Sequence, residues 1–351
     1  MGIAVHKPRH VRELNIGIVG CGHVVETLHL PALVSICDMN IKWMCDSSID
    51  RARIVARTWD VRRTFAQIAD CSDVDAVLVA TPVGTRRRIL DETIRRGWHA
   101  LCEKPFALST SEHRDMLEAA AQKGLKLGAG YMRRHYWAVG RAREMLRSKV
   151  LGPLKEIIAN EPAHLEATGL DQSSYRNSAK ASGGGVLVET GCHLLDEIFF
   201  VSDAVTADVR SCAQKMWNDY EVETAASGNI RLNTGEHVAL QLAVSGVRPM
   251  FAGIAFRCEL GEIRLHLDPA KNLEVFLGDS QSHRVELPQP RPNQQSLQYV
   301  SAAFRSEWLH FLEAIRTTGE WDPSKETGLM TTDFITQCNE IAKATCGGVL
   351  G

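Results

Sequence analysis

Three short stretches hold side chains that could do chemistry, and each lies where an apolar run gives way to a turn. Glu103-Lys104-Pro105 places a carboxylate, an ammonium and a rigid corner directly after Trp98–Cys102. In an open parallel sheet, ligands bind beyond the carboxyl ends of the strands, so a lysine at such an end faces a ligand. Gly20, Cys21, Gly22, His23 and Val24 follow from the apolar run Asn15–Gly20. The first glycine allows a tight turn, and the second lets the backbone approach a pyrophosphate at a helix N-terminus. The third small residue of that dinucleotide fingerprint is replaced by Val25. Asp46 ends the strand-like run Ile41–Cys45, roughly 20 positions past the glycines, where an acidic side chain takes the ribose hydroxyls of NAD. Arg51 and Arg53 follow closely and offer partners for a 2′-phosphate, so NADP stays open beside the favoured NAD. The other reading of Asp46 is an N-cap for a helix around Ile49–Trp59. Thr81-Pro82 ends a fourth apolar run, Val74–Ala80, again at a carboxyl edge.

The elements that must position these residues alternate. Strands at Asn15–Gly20, Ile41–Cys45, Val61–Phe65, Val74–Ala80, Trp98–Cys102 and Leu125–Gly130 are separated by helical segments, among them Arg86–Arg96 and Ser111–Lys123. This pattern predicts an α/β doubly wound parallel sheet over residues 1–130. The alternation stops at Tyr131. Residues 131–351 then read as an α+β domain with a mostly antiparallel open sheet. Its predicted strands are Leu154–Asn160, Thr224–Leu232, His237–Ser245, Met250–Leu260, Ile263–Leu267 and Leu273–Leu277. Its helices are expected at His135–Ser148, Val186–Val201, Ala302–Arg316 and Ser324–Ala344, with a loop at Arg291–Gln298.

Composition narrows the function classes. A chain of 351 residues suits two domains, and a net charge of −2 argues against a nucleic-acid or membrane-surface partner. The triplet Arg86-Arg87-Arg88 reads as a solvated helix face. The ten cysteines are scattered without a C-x-x-C pair, which argues against a zinc site and for a reducing, cytoplasmic setting. No run reaches the ~18 apolar residues of a membrane span.

The motifs in their order resemble the glucose–fructose oxidoreductase / inositol dehydrogenase / rhizopine catabolism (Gfo/Idh/MocA) family. They are the Gly-Cys-Gly turn, His29-Leu30-Pro31-Ala32-Leu33, Thr81-Pro82, Glu103-Lys104-Pro105, Gly183-Gly184-Gly185 with His193, and a last helix around Glu307–Phe311. The resemblance implies an N-terminal Rossmann domain and a C-terminal domain whose open sheet often forms an oligomer interface, as a dimer or tetramer. It implies NAD(P)-dependent oxidation or reduction of a sugar, cyclitol or related compound. It assigns Thr81, Pro82, Glu103, Lys104 and Pro105 to the cofactor's surroundings, with Lys104 beside nicotinamide and substrate, and it suggests a cis bond before Pro105. Arg134, Tyr175 and Arg176 are expected to line the substrate pocket. In an Arg-lined pocket a carboxylate or nucleotide-sugar substrate would fit.

Two departures from the family pattern stand out. Glu189 occupies the position of the family's usual aspartate, four residues before His193, and Arg86 falls where many relatives have histidine. At this spacing Glu189 and His193 share a helix face. His193 is the expected acid/base, with Lys104 polarising the oxygen, although the two could exchange roles; Glu189 would orient His193 or bind a substrate hydroxyl. Two other readings keep the same fold: a glycoside hydrolase that uses NAD in transient redox, and a non-catalytic sugar sensor. Retention of both Lys104 and His193 argues against the sensor.

Overall fold

The computed structural model describes residues 12–163, 173–217, 219–244, 251–278, 283–290, 295–317 and 321–346. Six strands form the first sheet: β1 (Leu14–Val19), β2 (Met39–Cys45), β3 (Thr64–Phe65), β4 (Ala76–Val79), β5 (His99–Cys102) and β6 (Leu127–Ala129). They are all parallel, in the order β3-β2-β1-β4-β5-β6. Every residue of β4 is buried, as expected for a parallel strand covered on both faces. The strand order reverses between β1 and β4. At that switch point the glycine turn and Thr81 come together, with the Lys104 corner one strand further on.

Helices α1 (Leu30–Val34), α2 (Ile49–Thr58), α3 (Val83–Arg96) and α4 (Thr110–Ala121) connect these strands. A π turn over Val25–His29 leads into α1. Pro31 lies just inside α1, and its missing N–H interrupts the ladder at the widened turn.

The second sheet has eight strands: β7 (Leu154–Ala163), β8 (Ala207–Lys215), β9 (Ala225–Leu232), β10 (His237–Val244), β11 (Gly253–Cys258), β12 (Gly261–His266), β13 (Leu273–Leu277) and β14 (Arg284–Leu287). Their order is β14-β13-β12-β11-β7-β10-β9-β8. Only the β7–β10 pairing is parallel. Helices α5 (Trp137–Ser148), α6 (Ala179–Ser182), α7 (Val186–Glu189) and α8 (Gly191–Ser202) precede most of it. The chain ends in α9 (Ser296–Arg316), α10 (Pro323–Glu326) and α11 (Leu329–Cys346). Helix α9 returns to the first sheet, where Ala303, Phe304, Trp308, Phe311 and Leu312 share a core with Leu14, Ile16, Ile18 and Leu30. Among the described residues, no helix is long and apolar enough to cross a membrane.

The expected helix Val186–Val201 is two helices, broken at Thr190 (φ −110°, ψ −43°). Strands β8 and β14 are additional to the expected ones: β14 alternates over only four residues, Arg-Val-Glu-Leu, and the alternation of β8 slips at a bulge between Val209 and Ser211. Val209 is the one buried residue of β8, which forms a sheet edge. Helix α9 starts before the expected Ala302. Gln295 and Gln298 make reciprocal capping bonds, so the expected loop ends there; residues 291–294 lie outside the described residues.

A buried neutral histidine joins the two halves. His113 on α4 is fully buried, its ring nitrogens 2.9 Å from Thr332 Oγ1 and 2.7 Å from Thr327 Oγ1. Burial pushes its pKa down to about 3. Below the ordinary value of 6.5 the unfolded chain takes up a proton that the folded chain refuses, so this contribution is complete above pH 6.5 and is lost as pH falls toward 3. His113→Gln is therefore expected to be destabilised at pH 7.5. Its deficit relative to the parent should narrow on acidification, by at most ~1.4 kcal/mol per pH unit. Denaturant unfolding of both proteins at several pH values checks this; a pH-independent deficit contradicts it.

Candidate active site

The glycine turn is shaped by close contacts on one side and open space on the other. Gly20 has φ +93°, and a Cβ there would stand 2.4 Å from the Ala80 carbonyl oxygen. A Cβ on Gly22 would meet no protein atom within 4 Å, so its backbone faces the cleft at the start of a helix. Asp46 accepts from the Cys21 amide at 2.8 Å and the Ser48 amide at 2.9 Å. The cap of α2 is Ser48, not Asp46, which leaves Asp46 tying the turn to the end of β2. Arg51 donates to the Cys21 carbonyl at 2.7 Å and pairs with Glu26 at 2.6 Å. Arg53 pairs with Asp50 on the exposed face of α2. Gly20, Gly22, Asp46, Ser47, Thr81 and Pro82 line a cleft of about 980 Å³. This cradle fits a dinucleotide: an open glycine backbone at a helix start, with a carboxylate at the end of the second strand.

At the end of β5, the Lys104–Pro105 bond is cis. Lys104 Nζ donates to the Glu189 carbonyl at 2.8 Å and lies 3.5 Å from the Glu189 carboxylate. Burial opposes its charge, but Glu189, the Cys192 thiol and Glu103 outweigh burial and hold its pKa above the usual value. Glu103 is buried and bonded to His29 Nε2 at 2.9 Å and to the Lys104 amide at 3.1 Å. The solvated reading of the arginine triplet fails at Arg86, which is 5% exposed. Its guanidinium donates to the carbonyls of Thr81 (2.7 Å), Lys104 (3.3 Å), Glu103 and Pro105. It thus clamps the ends of β4 and β5 together.

The triple glycine delivers the third side chain. A Cβ on Gly185 would fall 1.9 Å from the Glu223 carbonyl oxygen, so only glycine allows this approach. The buried Glu223 carboxylate accepts from the amides of Gly185 (2.8 Å) and Leu187 (3.0 Å), anchoring the start of α7. Helix α7 then brings Glu189 to Lys104 and to Arg176 Nε at 3.3 Å. Because the helix breaks at Thr190, the expected shared face of Glu189 and His193 does not form. Glu189 makes no hydrogen bond to His193 among the described residues.

His193 stands on α8 with its ring edge-on to Tyr131 (centroids 6.2 Å apart) and its Nδ1 buried without a hydrogen-bond partner among the described residues. Burial, then the charges of Arg133 and Lys104, drive its pKa well below 6.5. The imidazole is neutral beside a charged lysine.

The remaining expected residues divide. Arg176 reaches the site through Glu189, whereas Tyr175 is 45% exposed beneath the Arg176 guanidinium. Arg134 makes two bonds to Asp196, one of 2.7 Å, and a 2.7 Å bond to the Lys325 carbonyl. Its guanidinium is committed to that buried pair. The neighbouring Arg133 is the one whose charge reaches His193, and it pairs with Glu161 (3.0 Å) and Glu197 (3.5 Å). Sequence reasoning missed Arg133, Glu161, Glu223 and His29. Only His29 carried a signal, as the first residue of a motif with no assigned role. Among the described residues, no group of three or more His, Cys, Asp or Glu side chains is placed to hold a metal ion.

A dinucleotide cleft at the switch point, with a charged lysine and a neutral histidine beside it, defines a nicotinamide-dependent oxidoreductase. Residues 14–131 match the oxidoreductase family with an NAD-binding Rossmann fold, and residues 139–264 match the C-terminal domain of the same Gfo/Idh/MocA family. The chain belongs to that family. It is 22% identical over 305 residues to dTDP-3,4-didehydro-2,6-dideoxy-alpha-D-glucose 3-reductase of Actinomadura kijaniata, covering 83% of this chain and 86% of that one. It is 25% identical over 243 residues to D-glucoside 3-dehydrogenase of Escherichia coli (strain K12), covering 63% and 68%. Levoglucosan dehydrogenase, solved in complex with NADH, has the same fold. Its TM-score is 0.82 over 94% of this chain and 97% of that chain, at 19% identity.

Proposed function

We propose that this protein transfers a hydride between a nicotinamide dinucleotide and a secondary hydroxyl or ketone of a sugar, cyclitol or sugar derivative. The observation that carries the reading is the placement of Lys104 at the carboxyl end of β5, its ammonium 2.8 Å from the Glu189 carbonyl and its charge felt by the buried His193 on α8. The bound cofactor supplies or accepts the hydride. Lys104 donates to the reacting oxygen and stabilises alkoxide charge, while His193 takes or returns the hydroxyl proton. Glu189, itself paired with Arg176, holds the ammonium in place. Commitment of Arg134 to Asp196 and of Arg176 to Glu189 supports a neutral polyol over an anionic substrate. The names of the two relatives support a sugar carbon as the reacting centre.

Backbone amides from Gly22 to Val24 would hold the pyrophosphate and Asp46 the adenosine ribose, with Thr81 and Pro82 flanking the cleft. Engagement of Arg51 by Glu26 and the Cys21 carbonyl supports NAD over NADP. Asp46→Ser is expected to weaken NAD⁺ binding by about 10- to 100-fold, the worth of charge-assisted hydrogen bonds, and to narrow the NAD/NADP preference. Titration calorimetry with both dinucleotides reads this directly.

In the same reading, residues 1–130 carry the cofactor and residues 131–351 the substrate, with α9 returning to the first sheet. The nine cysteines free among the described residues support a reducing, cytoplasmic setting. A homo-oligomer would use the second sheet's open face, where Ser227, Asn229 and Arg231 of β9 are exposed while Ala226, Gly228, Ile230 and Leu232 are buried. The function is tested by screening sugars, cyclitols and sugar acids with NAD and NADP in parallel, following absorbance of the reduced nicotinamide. Absence of turnover across the whole panel would overturn it.

A further inference from the structure

The Lys104 corner is braced from behind by a buried chain that reaches helix α9. Trp308 Nε1–H donates to His29 Nδ1 at 3.1 Å. A nitrogen that accepts carries no proton, so the ring's single hydrogen is on Nε2, where it donates to Glu103 Oε1 at 2.9 Å. The other Glu103 oxygen accepts the backbone N–H of Lys104 at 3.1 Å. Trp308 and His29 are 0% exposed and Glu103 is 8% exposed. Phe304 packs edge-on against the imidazole with centroids 4.8 Å apart. Three distant segments therefore meet behind one peptide bond: the π turn, the end of β5 and helix α9.

We propose that His29 and Trp308 are positioning residues. Trp308 donates to His29 Nδ1 and keeps it bare, and the Nε2–H on the other side of the ring holds the Glu103 carboxylate on the Lys104 peptide and so sets where the ammonium stands. This rests on the reading of Lys104 as the group that polarises the substrate oxygen. The groups facing Glu103 fit the role. His29 donates to it, Lys104 and Arg86 are cationic, and Glu307 is buried with its carboxyl held neutral by burial and by the Glu103 charge. Glu103 is the anion of this pocket, and the histidine fixes its orientation.

The test compares His29→Gln, His29→Leu and Trp308→Phe. A glutamine amide offers an acceptor to Trp308 and a donor to Glu103, whereas leucine fills similar space and offers neither. His29→Leu is expected to lower kcat by about 10- to 100-fold, the cost of an ångström-scale misplacement, with the Kd for NAD⁺ unchanged. His29→Gln should recover most of that loss. In Trp308→Phe nothing donates to Nδ1 while the carboxylate still requires the Nε2 hydrogen, so nitrogen-15 spectra of the His29 ring should show Nδ1 taking up a proton at a pH where the parent's Nδ1 stays bare, with a smaller fall in kcat. Equal kcat for the glutamine and leucine variants, or an Nδ1 that stays bare in Trp308→Phe at every pH where it is bare in the parent, would overturn the proposal. If His29→Leu does not fold, Trp308→Phe decides, because it keeps an aromatic ring in the core. Turnover is measured with NAD⁺ and the sugar that reacts in the screen above. Lys104→Met separates the two readings: if it retains turnover, the role of Lys104 fails; if it is inactive while the His29 pair behave alike, only the brace fails.

Discussion

Replacing Lys104 by methionine is expected to lower kcat by about 10²- to 10³-fold, the loss that follows removal of one preorganised donor at a developing oxyanion. Methionine retains most of the lysine stem, so the corner and its packing survive while the ammonium is lost. The ammonium is charged because Glu189, Cys192 and Glu103 overcome the cost of its burial. It is aimed because the Glu189 carbonyl accepts from it at 2.8 Å. The dinucleotide cleft is lined by the glycine turn, Asp46 and Thr81-Pro82 rather than by the lysine tip, so the Kd for NAD⁺ should stay within about twofold of the parent. Steady-state kinetics with titration calorimetry on the same preparation separates the two effects. Lys104→Arg should not restore the rate. A planar guanidinium is longer, donates in a fixed fork, and would displace Glu189 from Arg176. A parallel fall in cofactor affinity and kcat would instead place Lys104 in the cofactor's binding shell.

The parts of this site that were legible in the sequence are those fixed by local backbone demands. Gly20 must adopt a positive φ against Ala80, Gly185 must lie against Glu223, and Lys104 must end a strand; each leaves a trace within a few residues. What could not be read depends on contacts across the fold. Arg86 looked like one of three solvated arginines, because nothing in Arg86-Arg87-Arg88 tells which side chain turns inward to meet carbonyls from β4 and β5. Arg133 and Arg134 are adjacent, and the turn between β6 and α5 sends one toward Glu161 and the other to Asp196. The spacing of Glu189 and His193 described a continuous helix that the protein does not make. An apolar run with no proline gives no warning that Glu223, 36 residues beyond Leu187 and 38 beyond Gly185, anchors the first turn as a separate piece. Edge strand β8 was hard to read because a bulge between Val209 and Ser211 shifts its alternation and only Val209 is buried.

That helix break alters what the glutamate at the aspartate position means. On one continuous face, Glu189 would have been a partner for the imidazole, and the extra methylene a source of misalignment. Across the break, Glu189 faces Lys104 and Arg176, and its longer reach spans the gap between two cations. The carboxylate keeps the lysine charged, and the histidine is left to titrate under burial and positive neighbours alone.

His193→Asn is accordingly expected to lower kcat for alcohol oxidation by about 10²- to 10⁴-fold, the usual contribution of a positioned general base. The stronger check is the pH profile of the parent. A base works when neutral, and His193 is neutral at every pH above its folded pKa, which burial, Arg133 and Lys104 hold well below 6.5. The oxidation rate should therefore stay on its plateau as pH falls through 6.5 and decline only at lower pH. An unperturbed histidine would have lost half its activity at 6.5. Arg133→Gln removes one of the two cations that depress the pKa, so its acid limb should move upward, toward 6.5, while the plateau rate changes less than in His193→Asn. If the acid limb of the parent already lies at 6.5, or does not move in Arg133→Gln, the proton is taken by another group. Lys104 cannot be that group while Glu189 keeps it protonated. The same measurement in Glu189→Gln, where that restraint is gone, would then show whether the lysine takes over as base.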